Sequence, residues 1–354
     1  MPTVDRQSEG VILRPPVTGA LTANVASSVN LNAANRADPD EIDRALIDLL
    51  LRDVKMTNRE LASSIGVSES AVSTRLRNLT ASGAINFTAI IDWEEAGFEW
   101  LVIARIRTHN RSPREVAEAV SSLAQCVVAA VSLGDHNVVA YLLVQDRAEL
   151  KRLTDDDLPS IAGIADMSLD VATDTIITPN GRRVFVGRGV PILRLPAPRV
   201  PLDDLDVAIL EALIEDGRQS NRRIAHAQRA SEGTVRARIN RMVQANLVRA
   251  VAMVDPVALG FAAFIATISI RVDRSRILAI RDELAAIPEI AFMAVCVGDS
   301  DLSIAVTANA PEELVEVIAE RVQTIAGVHS IEILLFVDIV LFSPYMKRLA
   351  KPGR

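Results

Sequence analysis

The chain repeats itself, and this restricts its fold more than any other feature it carries. A shift of 163 places, the distance from Asp43 to Asp206, lays residues 40–100 onto 203–263 without a gap. Leu50 then meets Leu213, Asn58 meets Asn221, Ser68-Glu69 meets Ser231-Glu232, Val72 and Arg75 meet Val235 and Arg238, and Gly97-Phe98 meets Gly260-Phe261. One inserted residue later, Gly134-Asp135 meets Gly298-Asp299 and Ile161-Ala162-Gly163 meets Ile325-Ala326-Gly327. A period near half of 354 residues is an internal duplication, so both halves must share one architecture.

In the first copy the periods are legible. Asp40 to Arg52 sets Ile42, Leu46, Leu49 and Leu50 at helical spacing, with acids in the first turn where the helix dipole favours them. Thr57 caps a second helix, Asn58 to Ile65, which Gly66 ends. A third helix opens on Ser68, keeps Val72, Leu76 and Leu79 on one face, and ends at Gly83. Three short helices with a glycine turn between the last two make a helix-turn-helix unit. Beyond Gly83 the period changes. Phe98 to Thr108 reads as a strand and Pro113 to Leu123 as a helix. Cys126–Leu133 and Val138–Val144 are strands joined by Gly134-Asp135-His136-Asn137, followed by a helix over Arg147 to Leu158 and a strand over Met167 to Ile177. The order β-α-β-β-α-β is ferredoxin-like.

The expected fold class is therefore α+β, a tandem duplication of a three-helix (winged or simple) helix-turn-helix domain followed by a ferredoxin-like βαββαβ domain. The expected boundaries are a disordered tail over 1–38, helix-turn-helix domains at 39–92 and 202–255, ferredoxin-like domains at 93–178 and 256–345, and a basic tail over 346–354. Between the units lies a Pro/Arg-rich linker, 179–201, in which Val184–Val186 has strand composition.

Composition narrows the function classes. A net charge of −7 argues against a chain that coats nucleic acid indiscriminately, yet leaves room for a local basic face. Cys126 and Cys296 lie in apolar runs and read as buried free thiols. Four scattered histidines make no metal-ligand spacing, and no metal or cofactor is expected. There is no run of about 18 apolar residues and no signal-peptide pattern, so a soluble, cytoplasmic protein without membrane contact is expected.

These motifs, in this order and twice over, resemble the Lrp/AsnC family of bacterial and archaeal transcriptional regulators. The similar residues are the acidic leader Asp40-Glu41-Ile42-Asp43, the Ser68-to-Arg77 helix ending at Gly83-Ala84-Ile85, and the Gly134-Asp135 turn. Their counterparts are Leu202 to Asp206, Ser231 to Met242, and Gly298-Asp299. The resemblance implies helix-turn-helix heads on double-stranded operator DNA and a ferredoxin-like effector domain. It also implies pairing through the sheets and a small-molecule effector, such as an amino acid, near the Gly-Asp turn. Relatives usually carry one unit and dimerise. Two fused units permit either an intramolecular pseudo-dimer or a homo-oligomer presenting four heads.

Opposite Val72 the third helix carries Ser70, Ser73, Thr74 and Arg77, short hydroxyls and one cation suited to a DNA groove, with Asn78 at the flank and Ser68 at the cap. Thr57 and Asn58 open the preceding helix, where free N–H groups meet a phosphate. Arg75 lies nearer the buried stripe, placed for a phosphate or for an internal acid. In the second copy Ser231 caps a helix with Arg236 and Asn240 on its polar face, flanked by Arg238 and Arg241. Arg229 stands where the first copy has the turn glycine Gly66, so the turn is either re-formed or the helix extended. Val54 stands opposite Gly217, which predicts a less clean end to the first helix. The effector candidates are Gly134, Asp135, His136 and Asn137 with Gly298, Asp299, Ser300 and Asp301, the aspartates facing an ammonium. The competing reading is a pair of ordinary hairpin turns, with His136 a surface histidine. Sirohaem decarboxylases resemble the same layout but show His and Arg ahead of the first sheet strand. Here those stretches, Trp93 to Phe98 and Pro256 to Phe261, contain no histidine. A third reading is a regulator partner with silent DNA heads.

Overall fold

The computed structural model describes residues 39–82, 84–178, 180–181, 195–254 and 262–342. Both expected tails, Gly83, the 184–186 stretch and residues 256–261 lie outside these. The first unit opens with α1 (Glu41–Arg52), α2 (Asn58–Ile65), α3 (Glu69–Ala81) and β1 (Ile85–Ile91). It continues with β2 (Trp100–Thr108), α4 (Pro113–Ser121), β3 (Cys126–Leu133), β4 (Val138–Val144), α5 (Arg147–Arg152) and β5 (Ile164–Ile177). The second opens with α6 (Asp204–Glu215), α7 (Asn221–Ala227), α8 (Glu232–Gln244) and β6 (Val248–Val254). It continues with β7 (Phe264–Val272), α9 (Ile277–Ala285), β8 (Ile290–Gly298), β9 (Leu302–Ala308), α10 (Pro311–Glu316) and β10 (Val328–Phe342). α5 and α10 each run on as π-helix, over Leu153–Asp157 and Val317–Val322.

Each unit's sheet has the ferredoxin-like strand order, but neither stands alone. β5 pairs with β2 of its own unit as far as Ala172 and with β8 of the other from Asp170 onward, with a register shift between Ala172 and Asp174. β10 does the same with β7 and then β3. The two sheets close into one barrel of order β10-β3-β4-β2-β5-β8-β9-β7. Closure leaves the barrel without a free edge among the described residues, and one chain makes both pairings between the units.

The heads are joined in the same way. β1 and β6 form a two-stranded antiparallel ribbon in which Thr88 faces Val251, and these two are equivalent positions in the repeat. The ladder is thus centred on a pseudo-twofold axis. The strand after each head pairs with the other head's strand, so no head has a wing hairpin of its own among the described residues. Gly217 sits on this ribbon: its N–H donates to Phe87 O at 3.1 Å, and a Cβ would lie 2.2 Å from Thr88 O. α1 and α6 end alike, on Asp53 and Asp216, so Gly217 serves close approach between heads rather than a cleaner helix end. Lys55 Nζ donates to Gly217 O at 3.0 Å and Arg218 donates to Met56 O at 2.8 Å, bracing the heads in both directions. Where the linker is described it is docked: Leu195 is buried and Arg199 pairs with Glu95 at 3.0 Å.

Candidate nucleic-acid interface and effector turns

Each head is built so that its third helix is held from behind. Val72, Leu76 and Leu79 are buried among Leu46, Ile47, Leu50 and Leu61. Asp40 and Asp43 close a capping box on the first turn of α1, and Arg75 reaches into it, 2.7 Å from Asp40 and 2.9 Å from Asp43. The backbone N–H of Asp43, then Arg75, hold the Asp40 carboxyl below its ordinary range. The second head repeats this. Arg238 lies 2.6 Å from Asp203 and 2.9 Å from Asp206, and Arg241 lies 2.6 Å from Asp206. Arg238 above all holds the Asp203 carboxyl down to about 2. Of the DNA-contact candidates, then, Arg75, Arg238 and Arg241 serve as clamps between the first and third helices, their charge met by acids; Arg75 takes the internal partner.

The remaining candidates of the first head face solvent. Thr57, Ser68, Ser70, Ser73, Thr74, Arg77 and Asn78 are exposed and Asn58 is partly so. They flank α3 on both sides. Ser68, Ser70, Thr74, Arg75 and Asn78 line a groove of about 550 Å³. Asn58, Ser73 and Arg77 line another of about 590 Å³, which continues onto Asp216 and Arg218 of the other head. Ser68 caps α3 by accepting from Ala71 N–H at 3.2 Å. Thr57 and Glu60 form a capping box on α2. In the second head Ser231 caps α8 through Thr234 N–H at 3.0 Å, while Arg236 and Asn240 are exposed. The turn before α8 is re-formed: Arg229 adopts φ 52 where Gly66 has φ 76. Ala230 N–H bonds Ala225 O at 2.9 Å as Val67 N–H bonds Ala62 O at 3.1 Å.

The effector turns divide differently from expectation. Asp135 and Asp299 are exposed, and Arg107 donates to the backbone oxygen of Asp135. Asn137 and Asp301 brace neighbouring strands, accepting from Thr108 N–H at 3.1 Å and Val272 N–H at 2.9 Å. Gly134 and Gly298 are pressed against the other unit's last strand, where a Cβ would lie 2.6 Å from Ile333 O and 2.4 Å from Leu169 O. The middle residues point inward. His136 is buried, not a surface histidine, and donates from Nδ1 to Glu332 at 2.5 Å. Ser300 is also buried and donates to Asp170 at 2.5 Å.

Arg105 joins the two turns. It is 3% exposed, lies 2.9 Å from the wholly buried Asp170, and donates to Glu332 at 2.8 Å. The chain Ser300–Asp170–Arg105–Glu332–His136 thus crosses the barrel, and every contact but Asp170–Arg105 joins one unit to the other. Arg105, Asp170 and Glu332 were not among the sequence candidates: each shares its strand with another charge (Arg107; Asp166 and Asp174; Asp338), so nothing local marks which one turns inward. Tyr141 packs edge-on to Phe292 beside them, ring centroids 5.9 Å apart. Burial pushes the Cys126 and Cys296 thiols far above their ordinary range, the latter to about 12. Among the described residues no cluster of His, Cys, Asp and Glu is arranged to hold a metal ion, and no helix is long and apolar enough to cross a membrane.

Fold and site together define a helix-turn-helix protein with paired βαββαβ domains. Comparison with known proteins specifies it further. Residues 40–80 match the AsnC-type helix-turn-helix domain, 202–249 a winged helix-turn-helix DNA-binding domain, and 265–345 the Lrp/AsnC ligand binding domain. An uncharacterized HTH-type transcriptional regulator of Pyrococcus abyssi is 34% identical over 135 residues, 38% of this chain and 85% of that protein. The HTH-type transcriptional regulator FL11 of Pyrococcus horikoshii is 31% identical over 131 residues, 36% of this chain and 87% of its own. The chain belongs to the Lrp/AsnC family of transcriptional regulators. Its whole-chain fold is also that of the siroheme decarboxylase NirDL, at 14% identity and a TM-score of 0.62, covering 88% of this chain and 95% of that one.

Proposed function

We propose that this chain, a duplicated family unit, acts as a one-chain pseudo-dimer that binds operator DNA through two non-identical heads and responds to a small effector, such as an amino acid, at the Gly-Asp turns. The observation that carries the reading is the β1–β6 ribbon. It fixes two helix-turn-helix heads about one pseudo-axis, with α3 and α8 held from behind and their polar faces open. That is the arrangement by which a dimeric helix-turn-helix protein addresses two half-sites. The network from Ser300 to His136 supports the effector part, because it ties both turns to the barrel that carries the heads. A gel-shift titration against the DNA upstream of the chain's own gene tests it. Arg77→Ala weakens binding by about 1–3 kcal/mol, the size of one lost base contact, with circular dichroism unchanged. No shift at low salt supports silent heads instead, since even non-specific binding shows there. Thermal-shift screening with free amino acids tests the effector.

The whole-chain likeness to NirDL favours a second reading, a decarboxylase acting on a tetrapyrrole. The stretch before β2 that carries His and Arg in such enzymes reads Trp93-Glu94-Glu95-Ala96-Gly97-Phe98 here, and its counterpart 256–261 lies outside the described residues. Turnover of added sirohaem, followed by absorbance, establishes the enzyme; no spectral change leaves the regulator.

A further inference from the structure

The two heads share one fold but not one surface charge. Position for position, the second head carries Arg223, Arg229 and Arg236 where the first carries Glu60, Gly66 and Ser73. All three arginines are exposed, and none of their side chains makes a hydrogen bond or ion pair among the described residues. Two of them are unfavourable for the fold that holds them. Glu60 closes the capping box on α2, whereas α7 has no acid in its first turn and sets a cation at the positive end of the helix dipole. Arg229 sits at φ 52, a region that strains a side-chain-bearing residue and suits glycine. The first head shows that glycine makes the same turn with the same closing hydrogen bond. At Gly66 a Cβ would meet nothing within 4 Å, so packing requires neither residue. Strain retained for a free charge points to a ligand that needs the charge.

We infer that the second head is the electrostatic anchor of the chain on DNA, with Arg223, Arg229 and Arg236 on its phosphates and groove, while the first head, which brings the exposed Arg59 and Arg77, carries the smaller share of the salt dependence. This rests on the DNA-binding reading above. It predicts an unequal division of the salt dependence, since each phosphate neutralised adds about 0.9 to the slope of log K against log salt.

The test is fluorescence anisotropy of the full chain on a random-sequence duplex across a salt series. Arg229→Gly lowers the slope by about one while raising the melting temperature, because the strain goes with the charge. Arg223→Glu also lowers the slope. The reciprocal Gly66→Arg raises it by about one and lowers the melting temperature. If the wild type binds and the second-head variants leave its slope unchanged, the anchor is wrong. It is equally wrong if Arg59→Ala with Arg77→Ala costs as much slope as Arg223→Ala with Arg229→Ala. If the wild type does not bind at low salt, the regulator reading fails and takes the anchor with it.

Discussion

Arg105 is the residue on which most depends. Its guanidinium bridges Asp170 and Glu332, from different units, in an interior where an isolated charge is strongly disfavoured. Replacing it with Leu leaves the buried Asp170 and the half-buried Glu332 without their cation, and removing one partner of a buried pair costs about 3–5 kcal/mol. Urea unfolding of Arg105→Leu measures this; a loss under about 1 kcal/mol would mean the pair is worth no more than a surface contact. The repeat explains why the network escaped the sequence reading. Arg105 aligns with Ser269 on β7, the equivalent strand of the other unit, Asp170 with Leu334 and His136 with Ser300, so no motif occurs twice. What was legible was the turn. Which of its residues faced inward was not, because that depends on β5 and β10 crossing to the other unit.

At the scale of the element, the helices were the easier part. Caps and apolar stripes are local, so α1, α2 and α3 begin where Asp40, Thr57 and Ser68 predict, and Val72, Leu76 and Leu79 are buried as their spacing requires. β1 and β6 were missed, since each finds its partner in the other half of the chain and no local turn announces it. The acidic leader, read first as a dipole effect, is also half of a clamp. Asp203 ionises near 2 in the fold, below the ordinary value of about 3.9. A depressed folded value means that the stabilisation is complete above about pH 4 and is lost as the pH falls toward 2. Arg238→Met removes the chief cause of the depression, so the second head should lose helix at higher pH than the wild type. Far-UV circular dichroism through the acid range decides it, and coincident curves would remove the clamp from the account. Gly217 offers a harsher test of the ribbon. Gly217→Val forces a side chain onto Thr88, an overpacking worth about 1–3 kcal/mol, and should weaken two-headed DNA binding more than it lowers helix content.

At the scale of the whole molecule, the pairing of the two units is made within one chain, and that leaves the halves free to differ. In a homodimer every interface residue is present twice, so the Arg105–Asp170 and Arg105–Glu332 contacts would each recur at a twofold-related site. Fused units need only one of each, which is how the barrel comes to hold an asymmetric chain of charges. The same freedom applies to the heads, where Ser70, Ser73, Thr74 and Arg77 stand against Gly233, Arg236, Ala237 and Asn240. Closure of the barrel leaves none of its eight strands with a free edge among the described residues, so the expected mass in solution is that of one chain, 38.2 kDa, by light scattering. One chain with two different heads should then protect an operator of two different half-sites on adjacent turns of one DNA face. Arginine reads guanine and asparagine adenine, so the half-site under α8 should be the one that loses discrimination when Arg236 becomes alanine, by about 1–3 kcal/mol. Protection of two identical half-sites by a single chain, or the same loss at both from Arg236→Ala, would show that the heads have diverged in sequence without diverging in what they read.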